Sequence, residues 1–420
     1  MRETVLKWGS QSTTWLYLLL AYPVIDYVLR QILPIPVISS LWDEGLLIVL
    51  MLFTFVAFLQ SNRTMPGIKH WLGALFVLGV AIMVTDMANW EASVEGFRSV
   101  YQYILAFFMG FYLLKSMEDL DKFMKGLVLV GFIAALYGVL QVIVGVKTPE
   151  SWVQEGEAVT TRAFSFVTSP NVLGSYMALV TPIAAGLFMT AKDRKQKWIW
   201  AIVALTTLLA MLLTSSRGAW FALAFAAFVC FYIWNKRVAG YLVIAGIIGI
   251  VALFFVPDSV PLVGKVKDRI FTLFTPEYFE SSSQGGRVGR WGEAYDKMRI
   301  EPLFGVGLGH HGGAVATRHF GTIYSDSYFF KSLAEYGLIG IILLIGTVIT
   351  MFKYGAGLIR NIQGSPHFFA ILGLLGGLIA VATHNLVENI FEVPFVALYF
   401  WLFGGFLCAL FVDQTQNKRW

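Results

Sequence analysis

Apolar stretches of roughly 20 residues recur from one end of this chain to the other, and each is long enough to cross a bilayer. Inside lipid the backbone must satisfy its own hydrogen bonds, so stretches of this kind fold as helices. They lie near 16–33, 46–59, 72–84, 100–114, 127–144, 172–189, 199–213, 219–234, 238–256, 328–351, 368–382 and 394–412, about twelve spans in all. Only 14% of the residues are charged, against about 25% in a soluble domain, and this excludes a water-soluble globular chain. The expectation is an all-α polytopic membrane protein. The first apolar run has no small-residue cleavage site after it and reads as a retained helix.

The loops between the runs alternate in charge. One set holds Arg2, Lys7, Arg63, Lys69, Lys115, Lys122, Lys125, Lys192, Arg194, Lys236, Arg237, Lys353, Arg360, Lys418 and Arg419. The other holds Asp43, Glu44, Asp86, Glu91, Glu95, Glu388 and Glu392, with few cations. Cytoplasmic loops carry the excess of Lys and Arg, so both termini are expected in the cytoplasm. Residues 257–326 form the longest connection, on the opposite, extracytoplasmic side. The expected organisation is residues 1–256 as helices one to nine, 257–327 as an extracytoplasmic loop or cap, and 328–420 as helices ten to twelve with a cytoplasmic tail. Within the cap, 288–298 reads as a helix whose Trp291, Ala294, Tyr295 and Met298 share one apolar face.

Several residues in these loops can carry chemistry. Arg217 sits in Thr214-Ser215-Ser216-Arg217-Gly218 between two apolar runs. A guanidinium beside hydrocarbon marks a functional site or snorkels to lipid phosphate. Arg287 and Arg290 lie in Gly285-Gly286-Arg287-Val288-Gly289-Arg290. There glycines permit close backbone approach and arginine forks match phosphate oxygens; the alternative is a solvated polar loop. Arg162 is a further external cation with the same two readings. His310 and His311 follow a glycine-rich stretch that lacks the strand–helix context of a dinucleotide loop; they read as proton-transfer or substrate-binding groups. Asp326 lies where the cap re-enters the membrane. It is a candidate general base or the N-cap of the next helix. His384 is a second candidate base or a buried, hydrogen-bonded histidine. Asp119-Leu120-Asp121 reads as a solvated charged loop. No Cys/His metal spacing is present, and Cys230 and Cys408 lie within apolar runs as small core residues.

Taken in order, Arg162 with Ser169-Pro170-Asn171, then Thr214–Ala219, Gly286-Arg287 with Trp291, Pro302–Gly307, Asp326-Ser327-Tyr328 and Leu333–Gly340 resemble the O-antigen ligase and O-antigen polymerase superfamily. The resemblance implies about twelve membrane helices with a large external loop late in the chain. It implies a glycosyltransferase of the bacterial cytoplasmic (inner) membrane that works at the extracytoplasmic face. An oligosaccharide would pass from a polyprenyl diphosphate, such as undecaprenyl diphosphate, to a hydroxyl of a glycan or glycolipid acceptor. No metal, cofactor or nucleic acid would take part. The products would be lipopolysaccharide or exopolysaccharide, with membrane lipids and polysaccharide-assembly proteins as partners. Resemblance carries the diphosphate-binding role onto Arg217 and Arg287, and leaves Asp326 or His384 as base. Arg162, Arg290, His310, His311 and Tyr328 are left as substrate-binding residues. Family ligases usually carry histidine where this chain has Asp326. The rival expectation is a lipid-linked glycan transporter or flippase, which would show repeated halves and mid-membrane ionisable groups.

Overall fold

The computed structural model describes residues 12–149, 161–253, 255–257 and 261–417. Among them every regular element is helical, and every apolar run read as a span lies on a helix. Nine helices are long and apolar enough to cross a membrane; a tenth results if Ser12–Leu20 and Tyr22–Ile32, bent by 63°, form one span. The two other runs fall on Trp90–Leu113, whose opening turns carry Glu91, Glu95 and Arg98, and on Phe368–His384, which is apolar but only 17 residues long. The protein is thus an all-helical polytopic membrane protein.

The two charge sets sit at opposite ends of the same helices. Arg63, just after Pro36–Gln60, pairs with Asp413 near the end of Pro394–Asn417 (2.7 and 2.8 Å) and donates to the carbonyls of Phe111 and Leu114 at the end of Trp90–Leu113. At the far end of Ile68–Thr85, about 27 Å away at the helical rise, Asp86 meets His310 of the cap (3.1 Å). The expected cations Arg2, Lys7, Lys418 and Arg419 lie outside the described residues.

Pro394–Asn417 runs up the middle: 94% of its apolar window is covered by other helices. Lipid gives helices no hydrophobic reason to associate, so small residues that let backbones touch set the packing. Gly405 lies against the backbone of Phe107, and Gly110 against that of Leu402. Gly373 and Gly377 likewise receive the Pro182 and Leu179 carbonyls of Pro170–Thr190.

Tyr328–Asn361, at 34 residues, would be about 51 Å long if continuous, well beyond a hydrocarbon core of about 30 Å. It is broken at Gly337 (φ 64°, ψ −165°). Pro302–Gly307 fills the break: Val306 N–H donates to Ala334 O (2.8 Å) and Leu338 N–H to Pro302 O (2.9 Å). The glycine-rich stretch before His310 is therefore a backbone splint at this kink.

The 257–326 connection is largely helical, with Pro261–Phe271, Pro276–Gln284, Arg287–Ile300 and Ala314–Phe320. Arg287–Ile300, called the rim helix below, begins and ends within two residues of the expectation. Its inner face is Trp291, Ala294 and Met298. Ala294 and Met298 are buried, and Trp291 stacks on Phe330 at 5.2 Å. Tyr295, expected on that face, is 51% exposed because the docking stripe follows the i, i+3, i+7 row. Gly286 and Gly289 face Ser282 and Ser283 of the preceding helix. They serve helix packing, where the sequence reading had them approach a ligand.

Candidate active site

The network is built from helix ends at the Asp86 end of the bundle. Thr214–Ser216 turns the chain sharply, with Ser215 at φ 54°, and Arg217 follows as the first residue of Arg217–Trp234. Arg162 Nε donates to Thr214 O at 2.8 Å and supports that turn. The Arg162 Nη2 reaches Asn171 Oδ1 (3.4 Å), and Asn171 Nδ2 donates to Glu388 Oε2 at 2.5 Å. Arg287 Nη2 shares the same Glu388 oxygen at 3.3 Å, and its Nε lies 3.9 Å from Asp326 Oδ2. Arg290 Nη1 closes the series on Asp326 Oδ2 at 2.8 Å. Six side chains from four separate segments thus form one connected polar chain.

Arg217 borders this chain. A methyl group placed on its neighbour Gly218 would lie 2.7 Å from Val387 and 2.9 Å from the His384 ring. Its guanidinium lies over the Tyr278 ring at 4.8 Å. The Arg217-Gly218 backbone therefore packs beside the 384–387 turn, while the Arg217 guanidinium turns to Tyr278 and, at 3.5 Å, to the Arg269 carbonyl. Arg287 and Arg290 face the carboxylates of Asp326 and Glu388, Arg162 joins them through Asn171, and Arg217 adds a fourth cation whose neighbour Gly218 packs on the same turn. This excess of positive charge suits a polyanion.

Asp326 stands at φ 49°, a left-handed conformation that Asp tolerates. The N-cap of Tyr328–Asn361 is Ser327, whose hydroxyl accepts from Phe330 N–H. Asp326 is thereby relieved of the capping role and points to the arginines. Tyr328 is buried, and its N–H donates to the carbonyls of Asn385 (3.0 Å) and Glu388 (3.2 Å), which fixes the 385–388 turn. His384 is buried beneath Gly218, and its Nδ1 has no hydrogen-bond partner among the described residues.

Glu388 was read in the sequence only as a loop charge. Its carboxyl is pushed up to about 7, mainly by burial; Arg287 opposes the shift and Asp326 adds to it.

The other candidates stand apart from this chain. His310 is held by Asp86, by the Leu308 carbonyl (2.9 Å) and by the Phe320 ring. His311 is 3% exposed, and its N–H donates to Glu335. Beside it Lys331 bridges Glu335 and Glu392, a buried triad that the sequence reading passed over. Asp119 and Asp121 are in the first turns of Met117–Val144, paired with Lys122 and Lys125. They form a helix N-terminus, where the sequence reading had a loop. Among the described residues no three His, Cys, Asp or Glu side chains are grouped to hold a metal ion.

A bundle of apolar, membrane-length helices defines a polytopic membrane protein, here with a cluster of arginines and carboxylates at one end. The family model described as O-antigen ligase matches residues 202–345. That segment, about a third of the chain, contains Arg217, Arg287, Arg290 and Asp326 and is similar to the O-antigen ligase family, in support of the resemblance seen in the sequence. Arg162, Asn171, His384 and Glu388 lie outside the matched residues. Among solved structures, one described as "Structural coordination of polymerization and crosslinking by a peptidoglycan synthase complex" contains a similar chain. The identity is 15% and the TM-score 0.46, over 85% of this chain and 99% of that one. No curated protein matches the chain.

Proposed function

We propose that the protein transfers an oligosaccharide from a polyprenyl diphosphate donor to a hydroxyl of a glycan acceptor, at the extracytoplasmic face of a bacterial inner membrane. The observation that supports this reading is the pairing of Arg287 and Arg290 with Glu388 and Asp326 beside the turn on which the Arg217-Gly218 backbone packs. Arginine forks pair bidentately with phosphate oxygens. A diphosphate at the membrane rim exchanges the Glu388 and Asp326 contacts for its own.

The acceptor oxygen attacks the anomeric carbon, and a new glycosidic bond forms. The bond from that carbon to the diphosphate oxygen breaks, and its electron pair leaves with the diphosphate. The hydroxyl proton passes to the Asp326 carboxylate. Charge grows on the departing diphosphate, so preorganised guanidiniums favour the transition state over the ground state. Attack opposite the leaving group inverts the anomeric centre. Neither metal nor cofactor enters this scheme.

The test uses purified protein in detergent, a polyprenyl-diphosphate oligosaccharide and an acceptor. Transfer with release of lipid diphosphate is expected. Arg217→Ala and Arg287→Ala should each lower the rate by about 10²–10³ while the thermal melt stays intact. Movement of the lipid-linked glycan across liposomes with no new glycosidic bond would identify a flippase instead.

A further inference from the structure

On the outer side of the rim helix lies a second feature, separate from the arginine chain. A cavity of about 430 Å³ is lined by Glu293, Asp296 and Lys297 of that helix, by His311, and by Thr322 and Ile323. Its volume falls within the range of about 300–1,000 Å³ usual for small-ligand sites.

Both of its walls lead back to the same point. Arg290, Glu293 and Lys297 follow i, i+3, i+7 spacing and share one stripe of the helix. From Arg290 to Lys297 the helix rises about 10 Å. The opposite wall, 322–323, runs in four residues to Asp326. Arg290 lies three residues before Glu293 and Asp326 three residues after Ile323, so their ion pair at 2.8 Å ties the two walls together beside the cleft.

Its floor holds polar atoms that nothing in the described structure satisfies. Both ring nitrogens of His311 are buried without a hydrogen-bond partner, and so is the Thr322 hydroxyl. An unmet buried polar group is costly, and here three such atoms line or adjoin one cavity. Burial, with Lys331 and Lys297 adding to it, holds the His311 imidazole down to about 4. It is therefore neutral at physiological pH and offers one donor and one acceptor. Glu293 and Asp296 supply acceptors and outnumber Lys297, which disfavours a phosphate.

We infer that this cleft is the acceptor subsite. It binds the terminal sugar of the growing or receiving glycan through its hydroxyls, and directs the attacking hydroxyl along the stripe toward Arg290 and Asp326. The inference rests on the transfer reaction proposed above and names where its second substrate sits. A carbohydrate fits the unmet atoms because each hydroxyl both donates and accepts, as neutral imidazole and threonine require.

The probe is the oligosaccharide released by mild acid from the producing cell's own lipid-linked donor. It is titrated by saturation-transfer NMR into the full-length protein in detergent, and transfer kinetics are measured in parallel. Ile323→Trp fills the cleft from an exposed position (57%), and Asp296→Asn alters a side chain that is 74% exposed, so neither disturbs the buried core. Wild-type protein is expected to bind the oligosaccharide. Ile323→Trp should weaken that binding about tenfold or more and raise the acceptor KM, with the donor KM unchanged. Asp296→Asn should move the same two quantities in the same direction by less. Absence of oligosaccharide binding to the wild type, or an Ile323→Trp protein with an unaltered melt, affinity and acceptor KM, overturns the subsite. The donor reading fails separately, through an Arg287→Ala protein that still transfers.

Discussion

Glu388 and a diphosphate would compete for the Arg287 charge, and this competition is open to titration. The Glu388 proton is held more tightly in the fold than in the unfolded chain, since its carboxyl moves from 4.5 to about 7. Below about 4.5 the group is neutral in both states. As pH rises toward 7 the buried charge must form in the fold, and the stability it contributed is lost. The charge that appears also neutralises Arg287 and repels the donor. The donor KM should therefore rise as pH passes upward through 7, and Glu388→Gln should flatten that rise; a profile unchanged by the substitution would remove Glu388 from the site. Arg217 and Asp326 stood out in the sequence as charges bordering apolar runs, and Arg287 as a cation among glycines. Glu388 was not, because its importance comes from burial and from Asn171, more than 200 residues away in the chain. The sequence also left open whether Asp326 caps a helix. The answer depended on Ser327 accepting from Phe330, a local geometry that both residues were equally able to adopt.

The break in Tyr328–Asn361 positions the rim. It lets the 328–336 segment tilt away from the span and receive the rim helix on Phe330 and Leu333, where Met298 and Trp291 pack. Gly337 adopts a backbone conformation open essentially to glycine alone. A Cβ there would lie 2.5 Å from the Leu303 carbonyl. Gly337→Ala should cost at least about 1–3 kcal/mol, seen as a lower melting temperature in detergent, and should reduce transfer because Arg290 and Asp326 are held across this joint. An unchanged melt would mean that the kink is not needed. Hydrophobic periodicity showed the helix but not its break, since Leu-Ala-Glu-Tyr-Gly-Leu-Ile-Gly carries no proline and keeps its apolar spacing. The rim helix was readable for the opposite reason: its apolar positions recur at helical spacing on an otherwise polar segment.

Across the whole molecule, the alternation of loop charge and the alternation of helix direction agree. Arg63 and Asp413 meet at one end, while Asp86, Glu388 and the arginine chain occupy the other. The positive-inside rule predicts the arginine end on the extracytoplasmic side. Cys230 and Cys408 are buried, so single surface cysteines report orientation cleanly. A membrane-impermeant maleimide should label Glu301→Cys in intact spheroplasts and Lys195→Cys only after permeabilisation; the reverse pattern would invert the topology. The positions of the helices were readable from hydropathy because the bilayer fixes element length, whereas the expected twelve spans compare with nine or ten helices of spanning length among the described residues. Which helices surround Pro394–Asn417 was not, because glycine contacts such as Gly405 against Phe107 depend on partners distant in the chain. The account rests on guanidiniums holding a diphosphate at that rim. A cryo-electron microscopy map of the protein with bound polyprenyl-diphosphate oligosaccharide tests it most directly. The prediction is diphosphate density within hydrogen-bond reach of both Arg217 and Arg287, with Glu388 released from Arg287. Diphosphate density at the Arg63 end, or well-ordered donor with neither arginine in contact, would contradict it.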